Sequence, residues 1–173
     1  MIVFFYTEKY DIKKKRYVGY VNMKIENKEM LLYCAEKSVN AVCKAEVDHA
    51  DKKEAYFVIG TAIHWIVDCI DRIPKEQVRD EHKKPFSAIR CANNCLKHNA
   101  TFREAHEVKG LDYPYDYPYD YGTYFVWDSL DKVYIQENKE NQRKNYKEKL
   151  EGNRVFSTLL EILEDVREYY VFL

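Results

Sequence analysis

The stretch DHADKKEAYFVIGTAIHWIVDCIDRIP, residues 48–74, decides how this chain folds. Ala55, Val58, Ile59, Ala62, Ile63, Ile66, Cys69, Ile70 and Ile73 recur at intervals of three and four, the period that stacks side chains along one side of an α-helix. The Asp-rich opening is a helix-start signal, and Pro74 marks the stop. Apolar residues spill over more than one side, which places this helix at the centre of a helical domain.

The neighbouring segments repeat the pattern. Residues 23–47 carry Met30/Leu31, Ala35, Val39 and Val42/Cys43 at helical spacing, and residues 153–171 carry Val155, Leu159/Leu160, Ile162/Leu163, Val166 and Tyr169/Tyr170. A third helix is expected over about 76–99, with Pro85 in a first helical turn or at a restart and Asn99 at the end. A very polar helix is expected over about 129–151, closed by Gly152. Residues 1–22 mix aromatics with the basic run Lys13–Arg16 and lean towards helix. Residues 101–128 break the pattern with Gly110, Pro114, Pro118 and Gly122 among many aromatics, which predicts an extended or hairpin-like insert. The fold class is therefore mainly α, one helical domain over residues 1–173 with a Tyr/Pro-rich non-helical insert.

Composition narrows the function classes. The chain has 173 residues, enough for one domain with a core of its own. A net charge of −1 supplies no global field that would draw it onto nucleic acid or an anionic membrane. No apolar run reaches the roughly 18 residues of a membrane span. The opening MIVFFYTEKY lacks a preceding basic residue and a small-residue cleavage site, so no signal peptide is expected. Five cysteines, an odd number lying in helical patterns, fit a reducing, cytoplasmic setting. Cys91 and Cys95 stand four apart without a second cysteine pair or a histidine at zinc-finger spacing, so neither a metal nor another cofactor is expected.

Chemistry concentrates on the third helix. At about 100° per residue, Arg90, Asn94, Lys97 and His98 share one arc, opposite the packing residues Ala88, Ile89, Ala92, Cys95 and Leu96. Such a stripe has the parts for metal-free RNA cleavage. A histidine moves a proton near neutral pH, Arg and Lys hold a phosphate and stabilise charge growing on it, and Asn orients either. The product of 2′-hydroxyl attack on the adjacent phosphate would be a cyclic phosphate. Lys and His are equally at home at a helix C-terminus for purely structural reasons. His64 and Asp68 are candidate supports for the stripe; the plainer alternatives are a satisfied core histidine and an Asp68–Arg72 pair at i,i+4. Glu104, His106 and Glu107 read as solvated side chains on a turn.

The order of elements, two long helices and then one carrying RCANNCLKHN (residues 90–99), resembles the HEPN superfamily of small helical proteins. The resemblance implies a HEPN-like bundle. Many such proteins are metal-independent ribonucleases of toxin–antitoxin, abortive-infection and other phage-defence systems, with the active site formed where two copies meet. Their signature is an Arg, usually followed by a polar residue, with a His four to six residues further on. Arg90 and His98 take those places here, although seven residues separate them and Cys91 follows the Arg. The resemblance thus implies a homodimer and RNA as substrate, with His98 as general acid/base, Arg90 and Lys97 as phosphate holders and Asn94 as orienter. The rival implication is a HEPN-like protein that only binds or regulates, engaging a protein partner such as an antitoxin.

The repeat DYPYDYPYDY, residues 112–121, bears on that choice. In an extended chain Tyr113, Tyr115, Tyr117, Tyr119 and Tyr121 share one face, with Asp and Pro on the other. A base-stacking platform needs aromatics framed by cations. Here the frame is aspartate, which repels phosphate. The tyrosines read as an arm that packs along a helix groove, or as a surface for a protein partner, a dimer seam or a lid over the stripe.

Overall fold

The computed structural model describes residues 27–109, 119–132 and 139–172. Five helices and one strand pair follow in order: α1 (Lys28–Val47), α2 (Lys52–Asp71), α3 (Asp80–Leu96), β1 (Phe102–Lys109), β2 (Tyr119–Trp127), α4 (Glu140–Lys149) and α5 (Val155–Phe172). The protein is mainly helical, with short 3-10 turns at Lys75–Gln77 and Leu130–Lys132. The helix expected over residues 1–22 lies outside the described residues.

α2 is the central helix that its apolar pattern predicts. Its first turn is closed by the Asp51 carboxylate, which accepts the backbone N–H groups of Lys53 and Glu54 at 2.8 and 2.9 Å. Ala55, Ile59, Ala62, Ile63, Ile66, Cys69 and Ile70 are fully buried. The helix packs against α1, α3 and α5. Gly60 lets α3 come close, since a Cβ there would stand 3.1 Å from Leu96 Cδ2.

Two boundaries differ from the sequence expectation. α3 begins at Asp80 and runs through Pro85 unbroken, so the proline neither starts nor restarts it. The N–H that Pro85 lacks would have served the carbonyl of Glu81, an exposed residue. The helix ends close to Asn99: the His98 and Asn99 N–H groups both turn back to the Cys95 carbonyl, at 2.9 and 3.0 Å. The polar helix is also shorter than 129–151, since α4 begins only at Glu140. Gly152, at φ 78°, separates it from α5 as expected.

The insert pairs as antiparallel strands, from Phe102 opposite Trp127 to Lys109 opposite Tyr119, with an irregularity between His106 and Val108. Its base is anchored in the bundle. Phe102, Phe125 and Trp127 are buried, and the Trp127 indole donates to Thr158 Oγ1 of α5 at 2.6 Å. The buried Tyr146 hydroxyl of α4 lies 3.1 Å from the Thr101 carbonyl and 2.9 Å from that of Asp128. At the end of α1, the buried Glu46 accepts the Phe125 N–H at 3.1 Å and pairs with Arg154. A buried carboxylate is tolerable only with such partners.

Candidate functional site on helix α3

The four stripe residues do not act as one group. Arg90 leans back to α2, where its Nε donates to Asp71 Oδ1 at 2.7 Å and its Nη2 lies 3.5 Å from the Ile70 carbonyl. The Ile70 carbonyl already accepts the Ile73 N–H at 3.1 Å, so the ion pair with Asp71 is the main tie between Arg90 and α2. Asn94 leans the other way, its Nδ2 lying 3.4 Å from Gln142 Oε1 on α4. Lys97 and His98 stand exposed past the helix end. At about 1.5 Å of rise per residue, the Arg90 and His98 positions lie roughly 10 Å or more apart along the axis.

The candidate supports are also placed. His64 is exposed, its ring edge-on to Trp65 with centroids 6.1 Å apart. Asp68 pairs with Arg72 at 2.6 Å, the plainer of its two alternatives. Glu104, His106 and Glu107 belong to strand β1 and not to a turn. Tyr119 and Tyr121 lie in strand β2, while Tyr113, Tyr115 and Tyr117 fall outside the described residues. Among the described residues, no three His, Cys, Asp or Glu side chains gather to hold a metal ion. Among them too, no helix is long and apolar enough to cross a membrane.

Cys91 and Cys95 are buried on the side of α3 that faces α4. A hydrogen bond between the two thiols raises the Cys91 pKa, with burial adding to it, and lowers that of Cys95. Burial also pushes the Cys69 thiol up to about 11. All three are packed in the core.

The densest polar cluster lies at the other end of α3 and involves none of the stripe residues. His82 is buried, 5% exposed. Its Nδ1 lies 2.8 Å from the Tyr169 hydroxyl of α5, and its Nε2 lies 2.9 Å from Arg79 Nη2 and 3.3 Å from Asp165 Oδ1. Arg79 also pairs with Glu168, and its backbone N–H reaches the Tyr169 hydroxyl at 3.0 Å. Burial raises the Asp165 pKa, partly opposed by the nearby His82. Burial likewise raises that of Tyr169. A signal for this cluster existed in the sequence: His82, Phe86 and Ile89 recur at helical spacing, which extends the buried face of α3 to the histidine.

No protein-family model matches the chain, and neither does any curated protein or solved structure.

Proposed function

We propose that this chain is a HEPN-like protein that binds or regulates a protein partner and does not cleave RNA. The observation that carries this reading is the position of Arg90. Its guanidinium is committed to Asp71 and to the end of α2, so the group that would hold a phosphate is doing structural work. Large apolar side chains are exposed on α1 and α2: Met30 and Phe57 are each 65% exposed, and Tyr33 is 54% exposed. The aspartate-framed tyrosine repeat supports the same reading, because its charge disfavours phosphate. The defence or toxin–antitoxin setting and the cytoplasm come with the HEPN resemblance.

A second reading, metal-independent RNA cleavage across a homodimer, is favoured by one feature. Lys97 and His98 stand side by side and exposed at the end of α3, where a second copy would supply the missing arginine. Incubation of total RNA with the purified protein in EDTA separates the two. The binding reading expects no cleavage by wild type, His98→Ala or Lys97→Ala. Cleavage by the wild type that both substitutions abolish would overturn it.

A further inference from the structure

Two groups compete for one nitrogen of the buried His82, and we propose that this competition makes a pH-sensitive latch between the start of α3 and the end of α5. An imidazole nitrogen offers either one lone pair or one hydrogen. A guanidinium only donates, so Arg79, at 2.9 Å, requires a bare Nε2. An ionised carboxylate only accepts, so Asp165, at 3.3 Å, requires Nε2–H. One protonation state satisfies one of them.

With Nε2 bare, the ring proton sits on Nδ1 and points at the Tyr169 oxygen, which also receives the Arg79 backbone N–H. Arg79 then clasps His82 and Glu168 together, with its guanidinium carbon 5.9 Å from the centre of the Tyr169 ring. When the ring takes up a second proton, Nε2–H turns to Asp165. Two cations, the imidazolium and Arg79, would then stand at hydrogen-bond distance with no acceptor between them. Arg79 has an exit, since Glu81 lies 3.3 Å from its Nε and its side chain is 39% exposed. The charged and titratable groups around the ring are thus Arg79 and Glu81 at the start of α3, and Asp165, Glu168 and Tyr169 on α5, with Glu161 acting on Asp165.

The latch matters because α3 and α5 touch along only a short stretch. Arg79 and His82 bridge that stretch to residues nearly ninety positions later in the chain. Proton uptake exchanges the Arg79 contact at Nε2 for an ion pair between His82 and Asp165, while Nδ1–H stays on Tyr169, so the join between α3 and α5 is re-paired and Arg79 is released towards Glu81.

The test uses the full chain and nitrogen-15 resolved imidazole spectra, titrated from about pH 8 to about pH 5, the range in which histidines switch. His82→Gln identifies the His82 signals. At the alkaline end, His82 is expected as the Nδ1–H tautomer. On acidification the bare-nitrogen signal is lost, and the Arg79 side-chain resonances lose the ring-current shift from Tyr169 in the same step. An Nε2–H tautomer at the alkaline end, a ring still singly protonated at the acid end, or Arg79 resonances that stay fixed while the ring charges would each overturn the latch.

Discussion

His82 and His98 stand on the same helix and have opposite surroundings. His82, near the start of α3, is buried against Tyr169, Arg79 and Asp165. His98, just past the end, is exposed. Spacing along a helix says which residues share a face, but the partner helices decide which faces matter. A stripe of Arg, Asn, Lys and His looks like a site in projection. In three dimensions its first two members reach neighbouring helices and its last two lie exposed past the helix end.

The largest effect in that comparison belongs to His82→Ala. It leaves the Tyr169 hydroxyl, Arg79 and Asp165 around a void, and should cost about 2–4 kcal/mol in urea unfolding. Tyr169→Phe keeps the ring and removes only the oxygen shared by His82 and the Arg79 N–H, so a loss of about 1–2 kcal/mol is expected from the same measurement. Arg90→Ala should cost at most about 1 kcal/mol, because its ion pair with Asp71 is partly exposed. His98→Ala, at the exposed end, should change stability by less than about 0.5 kcal/mol. A His98→Ala loss equal to that of His82→Ala would erase the distinction drawn between the two ends.

The pH dependence sharpens it further. The Asp165 pKa is raised in the folded state by burial. Folding therefore favours its protonated form. This group's stabilising contribution is present below the ordinary carboxylate value of about 3.9 and is lost as pH rises through the higher folded value. Urea midpoints of wild type should accordingly fall relative to those of Asp165→Asn as pH rises from about 4. Parallel curves would show that Asp165 titrates alike in the folded and unfolded chain.

Much of the helical body was legible because apolar period is a local property. α2 and α5 follow the recurrence of Ile, Val, Leu and Ala, and Gly152 marked its boundary correctly. Pro85 misled, since a proline in the second turn of a helix sacrifices only one hydrogen bond. The polar segment before α4 misled as well, since high charge and good helix formers over residues 129–151 did not carry the helix back to its expected start. The site was less legible than the fold. Arg90 reads as a phosphate ligand until Asp71 is placed beside it. His82 reads as an ordinary first-turn residue until α5 brings Tyr169 and Asp165 to it from the far end of the chain.

One consequence follows from Tyr146. Its hydroxyl sits between the Thr101 and Asp128 carbonyls, and so holds the two ends of the strand-bearing excursion at a fixed separation. The strand pair is therefore closed at its foot by one side-chain oxygen from α4, and Tyr146→Phe would untie both strands at once without altering either.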